Sequence, residues 1–546
     1  LGHAFAIVGL TLSQSQEKQK GDLMKPSPIT LKHWIGGHWI PGQSTGRRLN
    51  PANLRETVAE FPIGTAQDLE QAVEAANRAF AKLKKIPAPL RGEWIQNLGE
   101  LVRKNKQTLS EVVTREIGKP IGESQGSVQE VIDTCRFFAS EGRRLYGQTV
   151  PSEMNHKKLM TYRKPLGVVG IITAGNFPVA VPSWYIVPAL LTGNAIVWKP
   201  SGDAPLTAYC FAKLIEQAGF PPGSVNVVLG DASTGKALVE ATQKGGIHKI
   251  GFTGSSGVGK TIGELCGKML QKPCLELGGK NPMIILPDCN LEAASQAVLF
   301  SAFGTAGQRC TSLGTLFLHQ QIKSTFLKLL LENLLKIRIG NPMDPQTSYG
   351  PMISERHLST YVRFTEEWIA PHHHLLTPGK GRIRASNPWP HLHDADLENG
   401  LYAHPVIVDQ VQPRDPLFME ETFGPIIGVC EFETLDQAID LANASGYGLS
   451  SAIFTQNPES AFRFQEEIKS GMVSINNSTT GAEAHLPFGG VGRSGNGSRQ
   501  SGIWVLDEFT TWQAVNWDYS GILQRAQIDL PDTRFQEQFL LSEILR

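Results

Sequence analysis

A chain of 546 residues, 41% hydrophobic and 19% charged, has the composition of a folded protein but is too long for one compact core, which points to about two or three domains. Its 51 Lys and Arg balance 51 Asp and Glu, and the isoelectric point near 7.3 excludes a broad attraction to nucleic acid or anionic lipid, leaving only local anion sites. The seven cysteines are scattered and form no CxxC pair, which argues against a disulfide framework or a zinc cage and for a reducing, cytoplasmic setting; no apolar run has the length of a membrane span.

At the amino end, residues 4–12 are mildly apolar, but no basic segment precedes them and no clear small-residue cleavage site follows, so a signal peptide is not expected. Met24, before a polar Lys-Pro-Ser-Pro entry, reads as a start, with 1–23 an N-terminal extension. Trp34 to Trp39, with paired glycines at 36 and 37, predicts a β-hairpin. Apolar residues recur at helical spacing over 66–84 and again over 91–115. The runs 167–173, 195–198 and 225–229 are short and β-branched, each separated from the next by a helix-like segment, which predicts βαβ units and a parallel sheet. A second such series opens with 282–286, placing a domain boundary near Gly278. The polar stretch 371–400 holds His372, His373, His374, His391 and His393; without a carboxylate or cysteine at ligand spacing it reads as a solvated loop, and no metal site is expected.

One glycine-rich segment fits two templates. GSSGVGKT over 254–261 matches the phosphate loop of nucleotide triphosphatases, following an apolar run and opening a helix. The same residues match GSxxxG at a strand-to-helix turn, where backbone amides at a helix amino terminus meet a dinucleotide pyrophosphate. The loop alone does not decide between them. Two neighbouring segments carry more specific chemistry. FGTAGQRCT over 303–311 places Cys310 among small residues directly after Arg309, whose guanidinium is expected to favour the nucleophilic thiolate. LELGGK over 275–280 flanks Glu276 with leucines and glycines, so that partial desolvation raises its pKa toward that of a general base.

These segments, with EIGKP at 116–120, NFP at 176–178, WKPS at 198–201, EETFGP at 420–425 and PFGG at 487–490, stand in an order that resembles the aldehyde dehydrogenase superfamily from about Trp34 to Thr511. The resemblance implies an NAD(P)-dependent enzyme that oxidises an aldehyde to a carboxylate. Cys310 would attack the carbonyl, Asn176 and the Cys310 backbone N–H would hold the oxyanion, and Glu276 would activate water to hydrolyse the thioester. A basic glutamate there favours hydrolysis over transfer to coenzyme A, which remains the alternative, with the nucleotide triphosphatase reading behind it. The implied cofactor residues are Lys199, Ser201, Gly254, Ser255, Gly259, Leu277, Glu421 and Phe423. The implied fold is α/β: an NAD(P)-binding, Rossmann-like domain over 24–144 and 164–277, a catalytic domain over 278–480, and a small β oligomerisation arm over 145–163 and 481–519. A homodimer or homotetramer with no nucleic-acid or membrane partner is expected.

Four departures from the family pattern stand out. Gly202 occupies the place of a glutamate that grips the adenosine ribose in many NAD-preferring members, so use of both NAD and NADP is expected unless Asp203 moves in. Gly175 replaces a frequent tryptophan, which predicts a more open wall of the substrate tunnel. Tyr185 stands where a lysine is frequent and calls a lysine proton relay into question. Residues 494–502 lack the usual arginine-glutamate pair, a variant similar to members acting on amino-acid-derived semialdehydes. Beyond Thr511, Phe535, Phe539, Leu541 and Leu545 fall on one face of a predicted helix over 534–546 within a tail, 520–546.

Overall fold

The computed structural model describes residues 28–529 and 541–546. The three β-branched runs become the parallel strands Val168–Ile172, Ala195–Lys199 and Val225–Val227, and Lys249–Thr253 and Cys274–Glu276 extend the sheet, giving the spatial order Cys274–Glu276, Lys249–Thr253, Val168–Ile172, Ala195–Lys199 and Val225–Val227. Parallel neighbours require crossovers, and the helices Ala180–Leu191, Pro205–Gln217, Ala232–Ala241 and Ser256–Lys268 alternate with these strands along the chain. Helices on the faces of the sheet leave no strand side chain facing water, which is why these strands read as continuous apolar runs rather than alternating ones. The predicted hairpin forms from His33–Ile35 and His38–Ile40 and extends the sheet antiparallel to Val225–Val227. Its turn needs positive φ at both central positions, and Gly36 and Gly37 adopt +63° and +89°.

Helix Ala66–Leu83 matches the 66–84 periodicity; Thr65 and Asp68 close a capping box at its start. The stretch 91–115 is not one helix. It divides into Ala88–Lys104 and Lys106–Ile117 at Asn105, whose φ of −106° and ψ of 14° leave the helical region while its side chain donates back to the Leu101 carbonyl at 2.8 Å. The helix Ile121–Glu141, which the periodicity reading did not pick out, packs against Ala88–Lys104 and walls one side of the site described below.

Between Glu276 and Asn281 the chain crosses to a second sheet. Six parallel strands follow in the order Val406–Asp409, Ile426–Phe432, Leu313–His319, Asn281–Ile285, Ser450–Phe454 and Met472–Ile475, with His374–Leu375 antiparallel at one edge. Each large sheet carries its own apolar core. A third, three-stranded antiparallel sheet joins Thr149–Val150, Lys157–Pro165 and Thr510–Asp518. Its second leg therefore begins at Thr510, not at 481. Residues 481–509 lie elsewhere: Leu277 N donates to Ser494 O at 3.0 Å and Leu275 N to Ser498 Oγ at 3.0 Å, closing the free edge of Cys274–Glu276. The expected extension 1–23 and most of the predicted helix 534–546 lie outside the described residues; the short helix Leu541–Ile544 is described. No helix among the described residues is long and apolar enough to cross a membrane.

Candidate active site

The first sheet reverses strand order at Val168–Ile172: the strand next in sequence, Ala195–Lys199, lies on one side and Lys249–Thr253 on the other. A crevice opens beyond the carboxyl ends of strands at such a point, and ligands of open α/β sheets bind there. Here it is a cavity of about 380 Å³, with Asn176 after the first strand, Gly254 and Ser255 after the second, and Glu276, Leu277, Cys310, Glu421 and Phe423 facing them. Helix Ser256–Lys268 starts at this cleft, and its cap residue, Ser255, makes no side-chain capping hydrogen bond. This also separates the two templates for 254–261. A phosphate loop must wrap its ligand before the helix begins, but Ser256 to Thr261 are already helical, and Lys260 is exposed and does not line the cleft.

Cys310 ends a loop held in an uncommon conformation. Thr305, Ala306 and Gly307 have φ of 52°, 53° and 67°, a run that costs energy at the two non-glycine positions unless the surroundings impose it. They do so at several points. Glu123 accepts from the Thr305 backbone N–H at 3.0 Å and from the Thr305 hydroxyl. The buried Gln308 side chain accepts from Ile353 N at 2.9 Å and donates to Thr305 O at 3.1 Å. Asn281 Nδ2 donates to Cys310 O at 2.8 Å and to Ser312 O at 2.7 Å. Asn176 Nδ2 donates to Gln308 O at 2.9 Å, which fixes the amide beside Cys310 and leaves its second hydrogen free for another acceptor.

The glycine pair after Glu276 is required by close approach rather than by turn geometry. A Cβ at Gly278 would lie 2.0 Å from a Glu421 carboxylate oxygen, and one at Gly279 would lie 2.3 Å from the Cys310 carbonyl. A side chain at Gly278 would displace the Glu421 carboxyl, and one at Gly279 would push the Cys310 loop away. Gly259 does the same for Leu277, whose Cδ2 would be 2.3 Å from an added Cβ. Gly259 and Lys199 stand behind the cleft rather than in its lining, and Ser201 is at its rim.

Electrostatics run against the expected thiolate. Burial, and then the neighbouring Glu276 and Glu421 carboxyls, push the Cys310 thiol well above its ordinary pKa. Arg309 does not offset this. It pairs with Glu123, stacks 4.6 Å from the Phe300 ring centroid, and is thus satisfied away from the sulfur. The corrected picture is of a neutral thiol in the ligand-free protein. Glu276 is 1% exposed, and neither of its carboxyl oxygens has a hydrogen-bond partner among the described residues. Burial first and Glu421 second raise its pKa well above the carboxylate range, the direction expected from the flanking residues. Glu421 is itself pushed up to about 7 by burial, against the Gly279 N–H at 3.1 Å and the charges of Lys280 and Arg493. Burial lowers Lys199 to about 8, opposed by Asp231 and Asp203.

A second cavity, of about 460 Å³, also has Cys310 in its lining. Phe177, Trp184, Phe300 and Phe488 form its apolar walls, and Glu123, Glu130 and Arg309 supply its charged groups. Cys310 and Val181 line both cavities. Gly175 does not line this second cavity, contrary to the expectation that it widens a substrate tunnel. It faces the first cleft, where an added Cβ would be 3.0 Å from both Ser201 Oγ and Asp203 Cβ, so the missing side chain relieves crowding on that side.

Residue types alone did not single out Arg356 and His357, at the start of helix Glu355–Glu367, which also line the first cleft. Asp203 is held between Arg48 at 3.6 Å and Arg356 at 3.7 Å. The histidine loop likewise gains a carboxylate from afar: Asp415 Oδ2 accepts from His373 Nε2 at 2.8 Å and His372 Nε2 at 3.1 Å. The three atoms are close enough together for a cation. However, His373 Nδ1 accepts from Ala370 N at 2.9 Å, so the neutral ring carries its proton on Nε2 and presents a hydrogen, not a lone pair, to the centre of the group. The cluster is a hydrogen-bonded tie that fastens the loop.

The model of the aldehyde dehydrogenase family matches residues 39–515, and the chain belongs to that family. Among curated relatives, it is similar to the alpha-ketoglutaric semialdehyde dehydrogenase of Bacillus subtilis, with 34% identity over 489 residues covering 89% of this chain and 98% of the relative. It is also similar to the NADP(+) succinate-semialdehyde dehydrogenase of Saccharomyces cerevisiae, at 31% identity covering 93% and 98%. Among solved structures, betaine aldehyde dehydrogenase from Staphylococcus aureus in complex with NAD+ superposes with a TM-score of 0.85 at 30% identity, covering 91% of this chain and 96% of the other. The NAD-dependent aldehyde dehydrogenase of Sinorhizobium meliloti superposes with a TM-score of 0.86 at 30% identity, covering 93% and 98%. The chain is an oxidoreductase acting on aldehydes.

Proposed function

We propose that this enzyme oxidises an aldehyde to its carboxylate with NAD or NADP, using Cys310 as the covalent nucleophile, Asn176 as the oxyanion donor and Glu276 as the base that hydrolyses the thioester. The observation that carries this reading is Cys310 in the lining of two cavities, one of which, at the carboxyl ends of the first sheet's strands, is also lined by Asn176 and Glu276. A substrate can approach from the aromatic side while a planar acceptor approaches from the sheet side, without the two competing for space.

The sheet-side cleft fits a dinucleotide. It lies at the strand-order switch, and an uncapped helix amino terminus beside Gly254 and Ser255 suits a pyrophosphate. Lys199, Ser201, Gly259, Leu277, Glu421 and Phe423 would complete the cofactor site. A nicotinamide dinucleotide supplies the two-electron acceptor when bound. The Cys310 thiol gives its proton to water in the cleft as the sulfur adds to the carbonyl, and the free Asn176 hydrogen and the Cys310 N–H stabilise the oxygen as it becomes charged. Oxidation of the adduct leaves a thioester on Cys310. Glu276 takes a proton from water, the resulting hydroxide adds to the thioester carbon, and Cys310 leaves as the product acid is released. A carboxyl in this position favours water over coenzyme A as the acyl acceptor.

Gly202 and the engagement of Asp203 by two arginines support use of both cofactors: no free carboxylate at that position is left to repel a 2′-phosphate. The cytoplasmic setting rests on the dispersed free cysteines. The antiparallel arm, with Tyr162, Trp512 and Trp517 exposed, supports a homodimer or homotetramer, which sedimentation velocity would read as mass. The test of the reaction is reduction of NAD and NADP with a panel of aliphatic, aromatic and semialdehyde substrates. Reduction with an aldehyde and release of the free acid is expected; product formation only in the presence of coenzyme A would overturn the hydrolytic reading. Asn176→Ala should lower kcat by about 10²–10³-fold with a smaller change in KM, because its second hydrogen acts on charge that exists only in the transition state.

A further inference from the structure

Glu276 must carry a negative charge to act as a base, yet its surroundings oppose one. The titratable groups facing it are the Cys310 thiol and the Glu421 carboxyl across the cleft and the Tyr185 phenol behind the strands, and none of these is a cation. A hydroxyl stands beside it in register. Thr253 and Glu276 are Cα partners on adjacent parallel strands, so their side chains leave the same face of the sheet, and both line the cleft. Behind Thr253 is Tyr185, fully buried on helix Ala180–Leu191. Its phenol oxygen lies 2.8 Å from Thr253 Oγ1 and 3.2 Å from the Phe252 carbonyl. Tyr185 therefore has these two acceptors within reach and one hydrogen to give, with the Gln500 side chain as a further hydrogen-bonding neighbour.

We propose that Thr253 and Tyr185 form a two-setting hydroxyl relay that holds the ionised form of Glu276 during thioester hydrolysis. In the first setting Tyr185 donates to Thr253 Oγ1, and Thr253 donates to the Glu276 carboxylate after the glutamate side chain turns toward its strand neighbour. In the second, Glu276 carries the proton taken from water and donates it as a hydrogen bond to Thr253 Oγ1. Thr253 then donates to the Tyr185 oxygen, and Tyr185 donates to Phe252 O. Each hydroxyl keeps one hydrogen in both settings, so the pair reorients without gaining or losing a proton. The Phe252 carbonyl is what makes the second setting possible, since it takes the tyrosine hydrogen that Thr253 no longer accepts. Both residues are positioning residues acting through Glu276, in a place where this chain has a phenol and no lysine ammonium.

The inference rests on Glu276 being the hydrolytic base, and the experiment separates the two claims. In the full-length enzyme, single-turnover decay of the thioester after the hydride burst is followed across pH for wild type, Tyr185→Phe, Thr253→Val, Thr253→Ser and Glu276→Gln. Loss of the relay should move the midpoint of the hydrolysis limb up by about one pH unit in Tyr185→Phe and in Thr253→Val. Thr253→Ser should restore it, and the burst should keep its own pH dependence throughout. An unmoved midpoint in Tyr185→Phe, with Glu276→Gln blocked, overturns the relay alone; if Thr253→Val does not fold, Tyr185→Phe decides. Wild-type hydrolysis in Glu276→Gln overturns the base reading itself.

Discussion

Cys310→Ala is expected to abolish aldehyde-dependent reduction of NAD and NADP, with a loss of at least about 10⁴-fold in initial rate. The proposed mechanism needs a sulfur that forms and then breaks a bond to the carbonyl carbon, and no other cysteine among the described residues lines either cavity. The half-buried side chain donates no hydrogen bond that the loop depends on; its carbonyl, held by Asn281, is unchanged by the substitution. Thermal unfolding should therefore shift by only a few degrees, and dinucleotide binding, read by fluorescence quenching, should persist. Retained turnover would remove Cys310 from the mechanism. The wild-type thiol carries a second expectation. Burial and two neighbouring carboxyls raise its pKa, so alkylation of the ligand-free enzyme by iodoacetamide should accelerate steadily as pH rises from neutral to about 9, without a plateau near pH 7. A plateau at neutral pH would mean that the thiolate is already formed, as Arg309 was expected to ensure.

Glu276→Gln should separate the two halves of the reaction. One equivalent of reduced cofactor per subunit is expected in a burst, followed by turnover slower by about 10²–10⁴-fold, because the acyl group is trapped on Cys310. Mass spectrometry of the quenched enzyme should find the acyl adduct. The substitution preserves shape and removes no hydrogen bond, since the carboxyl oxygens have no partners, so the fold should survive. The pH dependence has a definite sign. The folded-state pKa of Glu276 is raised by burial and by Glu421, so the base form, and with it the hydrolysis rate, grows as pH increases. Burst and steady state lost together would place Glu276 in the first half-reaction and sink its assignment as base.

Much of this was legible from residue order. The β-branched runs at 167–173, 195–198 and 225–229 read as buried strands because they are apolar almost throughout, Asn226 being the one amide within them, and their spacing required crossover helices. Cys310, Glu276 and Asn176 each sat in a short motif whose local chemistry was suggestive alone and specific in order, and folding brings all three to one cleft. Local signals failed where the deciding contact came from a distant residue. Arg309 precedes Cys310 in the chain, yet Glu123, 186 positions earlier, takes its charge. Gly175 sits beside Asn176 but faces Ser201 and Asp203, because consecutive residues leaving a strand point in different directions.

The sequence by itself determined the two parallel sheets, the glycine turn at a helix start and the identities of the reactive side chains, since hydrophobic period and residue chemistry are properties of neighbouring positions. Only the tertiary structure decided which of those groups are charged, which wall each occupies and what holds them there. Burial and through-space neighbours set a pKa, and close approach, such as Glu421 against Gly278 or Tyr185 against Thr253, exists only once separate elements have packed.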